Sequence, residues 1–126
     1  MPLIKNSNRA KQGIEFSGVE WGKIHPSDID FVLEFKNKVL ILGEVKFKGI
    51  ELTTGQKLML ERIADSWHTG ISFVIFAHHT HEDDTTDIPL QKCEVYKIYY
   101  DKKWYTLQGS LISKINQIRE LFQVDD

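Results

Sequence analysis

The chain has 126 residues, 41% of them hydrophobic and 27% charged, with a net charge of −2 at pH 7. That length and composition fit one domain over residues 1–126 with a core of its own, and exclude a wholly disordered chain or two ordinary domains. The near-neutral charge gives no global attraction to nucleic acid, so such a partner would have to be met by a local cluster of Lys and Arg.

The single Cys93 excludes an internal disulfide framework and any paired-cysteine metal site. No apolar run approaches the ~20 residues that span a bilayer, and no signal-peptide core stands at the start. The expected location is therefore cytoplasmic, with no membrane partner.

Residues 1 to 13 (MPLIKNSNRAKQG) hold Lys5, Arg9 and Lys11 with little apolar periodicity, and read as a basic arm or a short helix. Gly13 to Pro26 is interrupted by Gly18, Gly22 and Pro26, with room for a short strand around Val19 and Trp21. Ile29 to Phe35 and Val39 to Phe47 are rich in β-branched and aromatic residues and flank Lys36, Asn37 and Lys38, which predicts a hairpin. Next, TTGQKLMLERIADSWHTG places Thr53 three residues before Gln56, a capping-box pattern, with Leu60, Ile63, Ala64 and Trp67 at helical spacing.

The continuous apolar run Ile71 to Ala77 predicts an interior strand covered on both faces and reached by a helical crossover. HHTHEDDTTDIP reads as a polar loop, Glu94 to Tyr100 as a further strand, and Lys102 to Lys103 as a turn leading to Trp104. Ser110 is a plausible N-cap for an amphipathic helix carrying Leu111, Ile115, Ile118 and Phe122. Together the elements predict an α/β fold, an α/β/α sandwich around a mixed central sheet.

Residues two apart share a face of a strand, so Asp28, Asp30, Val32 and Glu34 oppose Ile29, Phe31, Leu33 and Phe35. With a three-residue loop Phe35 pairs with Val39, Asp30 faces Glu44 and Asp28 faces Lys46. One face of the hairpin is then wholly apolar, and a slip of one residue would put acids on it. Like charges directly opposed are destabilising and need compensation. Lys46 supplies part of it. Two carboxylates at one end of a sheet also make a hard-oxygen site for Mg²⁺ or Mn²⁺, with positions left for water and phosphate oxygens.

Asp30, a spacer of 13 residues and then Glu44-Val45-Lys46 resembles the PD-(D/E)XK nucleases, the restriction-endonuclease-like superfamily. Pro26-Ser27-Asp28-Ile29-Asp30 and Gly43-Glu44-Val45-Lys46 fit its two central motifs. PSDIDFVLEF, GEVKFKG and GQKLMLERI in that order are especially similar to the small single-domain members encoded by phages, which act in the cytoplasm of a host cell. The resemblance covers roughly Pro26 to His79 and implies the core order αβββαβ.

It further implies a magnesium-dependent nuclease, an endonuclease by analogy with those members, that hydrolyses DNA phosphodiesters. Asp30 and Glu44 would ligate the metal, the Val45 carbonyl would complete the shell, and Lys46 would assist the nucleophilic water. Gln56 resembles a glutamine that some members carry beside the site at the start of the following helix. Two aspartates compete for the first motif: the register favours Asp30, leaving Asp28 as a second ligand or a partner of Lys46. Glu15 or Glu20 would stand for the acid of the family's first helix.

Other features have plainer readings beside the functional ones. His78, His79 and His81 with Glu82, Asp83 and Asp84 contain zinc-ligand types but lack regular ligand spacing, and an acidic loop explains them more simply. His78 or His79 could still border the cleft, and His25 suits a turn or a phosphate contact. Gln56 satisfies the capping pattern by itself. Lys48, Lys57 and Arg62 suit either a phosphate-binding flank or a solvated helix face. Trp21, Trp67 and Trp104 fit the core better than base-stacking platforms.

The small size favours structure-selective cleavage of branched DNA, as in Holliday junction resolvases, over sequence reading. Resolvases act as symmetric dimers, and Tyr96, Ile98, Tyr99, Tyr100 and Trp104 offer a candidate exposed patch for a homodimer. The competing class is a non-catalytic protein of nuclease-like fold that binds nucleic acid or a protein partner, motivated by the near-neutral charge and the acidic loop.

Overall fold

The computed structural model describes residues 13–124, so the basic arm read over the first residues lies outside them except for Gly13. β1 (Phe31–Phe35) and β2 (Val39–Phe47) form the expected antiparallel hairpin, with Phe31 opposite Gly43 and Phe35 opposite Val39. Lys36 and Asn37 sit at φ 49° and 65°, and the Lys38 N–H donates to the Phe35 carbonyl at 2.8 Å. Such a primed turn matches the twist of its strands. Gly43 has to be glycine, because a Cβ there would run into the ring of Phe31.

α1 (Thr54–Ser66) follows, opened by a complete capping box. Thr53 Oγ1 accepts from the Gln56 N–H at 3.1 Å, and Gln56 Oε1 accepts from the Thr53 N–H at 3.2 Å. These bonds satisfy two of the orphan donors at the helix start. The crossover then delivers β3 (Ile71–His79) parallel to β2, pairing Val39 with Ile71 and Phe47 with His79. β4 (Glu94–Tyr100) and β5 (Lys103–Thr106) continue antiparallel, so the mixed sheet has the order β1-β2-β3-β4-β5. Phe73 to Ala77 are buried in its middle, as an interior parallel strand requires. The last helix, α2 (Leu111–Leu121), is capped by Ser110, whose hydroxyl accepts from the Ser113 N–H.

Among the described residues, each face of the sheet carries one helix. Leu111 and Ile118 of α2 pack with Val39, Ile41, Phe73 and Ile75, while Leu60 and Ala64 of α1 pack with Leu40, Leu42, Val74 and Tyr99. Among the described residues no helix is long and apolar enough to cross a membrane.

Three expectations are corrected. Val19 and Trp21 form no strand: the segment makes an isolated bridge between Trp21 and Ile24, and Trp21 is 70% exposed, outside the core. Ile29 packs with the α1-side cluster, not on the α2-side face with Phe31, because the ladder begins only at Phe31 and the alternation is broken at the bend on Asp30. The aromatic dimer patch is not exposed. Ile98 and Tyr99 are buried, Tyr100 stacks on Phe73, and Trp104 is half-buried, its Nε1–H donating to Glu61 at 2.6 Å. The structure shows an α/β fold with a mixed sheet; two strands precede α1 among the described residues, where the order αβββαβ has a helix and three strands.

Candidate active site

Alternation along β2 places Leu40, Leu42, Glu44 and Lys46 on the α1 side of the sheet. The first two belong to the core. Glu44 continues the row into the same environment: it is 4% exposed, and its Oε2 has no hydrogen-bond partner. A buried carboxyl oxygen without a donor is unusual and costly.

Asp30 stands directly before β1, where the next ladder position would put it opposite Glu44. Its Oδ2 accepts the Val45 N–H at 2.7 Å. The side chain thus takes a donor that a backbone carbonyl would take if the ladder continued, and this both ends the strand and fixes the carboxylate beside Glu44. Burial, reinforced by the hydrogen bond and negative charge of Asp30, pushes the Glu44 carboxyl up to about 8. The charge of Asp28 adds to the rise, and that of Lys46 opposes it. Glu44 therefore holds its proton at neutral pH unless another cation comes to the pair.

Lys46 lies half-buried two residues beyond Glu44 and pairs across the sheet with His78. Val45, between the two, turns its side chain into the opposite core. Asp28 is exposed; its charge reaches Glu44, but no group of three His, Cys, Asp or Glu side chains among the described residues converges as metal ligands. The convergent acids are thus the pair Asp30 and Glu44. The Gln56 side-chain oxygen closes the capping box, so any part of Gln56 in chemistry falls to its amide NH₂. Glu15 and Glu20 are exposed and outside any helix.

His78 and His79, expected in the polar loop, instead end β3, because the parallel ladder to β2 continues through Lys46 and Phe47, and with His81 they do not gather around a common point. His78 Nε2 lies 3.2 Å from the Ile50 carbonyl, His79 Nδ1 accepts the His81 N–H, and His81 Nε2 lies 2.7 Å from Thr86 Oγ1. His25 Nδ1 meets the Pro26 carbonyl at 3.2 Å. Lys57 sits over the Trp104 ring, Arg62 is exposed, and Lys48 lines a cleft of about 560 Å³ together with His78 and His79. Trp67 and Trp104 pack with the α1-side core.

Sequence reasoning missed Tyr96, Glu51 and Lys92 as members of that cleft. Tyr96 reaches it through a bulge: Phe76 pairs with Lys97 and Ala77 with Val95, leaving Tyr96 as the extra residue. A polar residue inside an aromatic strand was the only signal, and alternation alone gives it the wrong neighbours. No protein-family model, curated protein or solved structure matches the chain.

Proposed function

We propose that the chain is a divalent-metal-dependent nuclease that hydrolyses DNA phosphodiesters. The observation that carries the reading is Glu44, a buried acid with an unpartnered oxygen, held against a second carboxylate that is itself fixed by a backbone donor. A cation between Asp30 and Glu44 relieves their repulsion and gives Oε2 a partner, so the donor set fits Mg²⁺ or Mn²⁺. The Val45 carbonyl would complete the protein ligands, with Asp28 as an outer acid. When bound, such an ion polarises a phosphodiester and lowers the pKa of a coordinated water.

The chain's own residues then have separate tasks. Asp30 and Glu44 fix the charge that must be neutralised at the end of the sheet, and Lys46, on the same face, holds a positive charge where negative charge develops on the phosphate. Gln56 can orient water or phosphate through its amide NH₂. The succession hairpin, helix and parallel strand is compatible with a restriction-endonuclease-like core, and branched DNA, as in junction resolvases, is the proposed substrate form.

The test is cleavage of labelled single-stranded, duplex and four-way-junction DNA in Mg²⁺ or Mn²⁺, with EDTA and the Glu44→Ala and Lys46→Ala proteins as controls. The expected result is metal-dependent cutting lost in all three controls. A fully active Glu44→Ala protein would refute the mechanism.

A further inference from the structure

Beside the site lies a cleft of about 560 Å³ whose walls include Lys48, Glu51, His78, Lys92, Glu94 and Tyr96. Its position is fixed by the sheet: His78 is the direct neighbour of Lys46 on the adjacent strand, so the cleft begins one strand away from the carboxylate pair. The Phe47–Ile50 turn, with Gly49 at φ 95°, reverses the chain and leaves Lys48 on the rim, while the Lys48 N–H is tied to the His79 carbonyl at 2.9 Å.

The bulge in β4 turns Tyr96 onto His78, where the two rings stack with centroids 4.5 Å apart. Tyr96 is held there by donating its hydroxyl to Glu51 at 3.0 Å. Bulges re-aim side chains in this way next to active sites. Lys48 and Lys92 line the cleft without a carboxylate within ion-pair distance among the described residues, although Glu51 and Glu94 share the walls. His78 and the Lys97 ammonium both lie over the Tyr96 ring, the latter 5.0 Å from its centroid, so the stacked pair offers the cleft its ring edges and the imidazole nitrogens. Two ammonium groups, aromatic edges and carboxylate acceptors are the chemistry that recognises a phosphate and an unpaired base together.

We propose that this cleft takes an unpaired nucleotide of a single strand next to the phosphate to be cut, its phosphate between Lys48 and Lys92 and its base along the His78–Tyr96 wall. The inference rests on the nuclease reading for the identity of that phosphate. The volume is that of a small-ligand site, within the range of about 300–1,000 Å³. A stacked, paired base cannot enter such a site without leaving the duplex.

The experiment is fluorescence anisotropy in EDTA with one labelled oligodeoxynucleotide, presented as a single strand and as a blunt duplex at the same salt. The wild-type chain is expected to bind the single strand about tenfold or more tightly than the duplex, and Lys48→Ala/Lys92→Ala to lose that preference. Lys38→Ala/Lys103→Ala removes the same charge at the opposite end of the sheet and is expected to leave it in place, with folding of both variants checked by circular dichroism. Equal or tighter binding of the duplex, or a cleft variant that binds the single strand like wild type, would overturn the inference. Because binding in EDTA needs no turnover, the two readings fail separately. Metal-dependent cutting without single-strand preference sinks the cleft and leaves the nuclease; single-strand binding without cutting sinks the nuclease and leaves the cleft as a binding site.

Discussion

Replacing Glu44 by glutamine should stabilise the metal-free protein, by an amount that grows with pH. The Glu44 carboxyl titrates near 8 in the fold against an ordinary value of 4.5, chiefly because it is buried and secondly because Asp30 lies against it. Below the ordinary value both folded and unfolded chains hold the proton, and the fold has its full stability. Between the two values the unfolded chain has lost a proton that the native chain keeps, so stability falls as pH rises, until the native group also ionises near 8. At about 1.36 kcal/mol per pH unit, the interval from 4.5 to neutral pH is worth about 3 kcal/mol. Because the titration is shared with Asp30, about 2 kcal/mol is the expected net effect.

Glutamine keeps the shape, cannot ionise and can donate to Asp30, so it removes this loss. Thermal melts in EDTA across about pH 5 to 8 should show the wild-type protein falling behind Glu44→Gln by on the order of 5–10 °C at the upper end. Parallel curves for the two proteins throughout that window would refute the argument that Glu44 is held protonated by burial beside Asp30.

The same proton links metal binding to pH: calorimetric Mn²⁺ affinity should rise about tenfold per pH unit up to roughly pH 8 and then level, and a flat profile would contradict release of the Glu44 proton. Asp30→Ala should abolish metal-dependent cutting and cost about 1–2 kcal/mol in urea melts, since it orphans the Val45 N–H, whereas Asp30→Asn should also stop cutting but keep the stability. Gly43→Ala should cost about 1–3 kcal/mol, the usual result of forcing a methyl into a filled space, and Phe31→Leu in the same chain should recover part of it. Thr53→Ala should remove about 1 kcal/mol through the lost capping bond, read by the same melts.

The hairpin register was legible because a slip of one residue would put acids on the face that Phe31, Leu33 and Phe35 share with Val39 and Ile41, and the three-residue loop selects the pairing that the structure has. The capping box of α1 and the buried run of β3 were legible for equally local reasons. What escaped was set by departures from periodicity. Ile29 changes face because a side chain, not a backbone carbonyl, takes the Val45 N–H, and no alternation pattern announces that exchange. Tyr96 changes neighbours because β4 carries one residue more than β3 across the bulge. Tyr99 and Trp104 are not the surface patch expected of them, because their polar tips are satisfied within the fold by Asp65 and Glu61.

That last contrast bears on function. On the α1 side of the sheet, Tyr99 donates to Asp65 at 2.9 Å and Trp104 donates to Glu61 at 2.6 Å, while Ser72 donates to the Ala64 carbonyl at 2.7 Å. Polar groups there are buried only with a partner in place. Glu44 lies on the same face, is as buried as Tyr99, and carries an oxygen with none. A glutamine at that position would serve the fold better by about 2 kcal/mol on the reasoning above. A non-catalytic binder that recognises its partner through exposed lysines and rings gains nothing from a submerged acid beside a second acid. On the proposed nuclease reading, a site that must strip water from a divalent cation and hold it against a phosphate gains its charge from that placement, which would make the cost to stability intelligible.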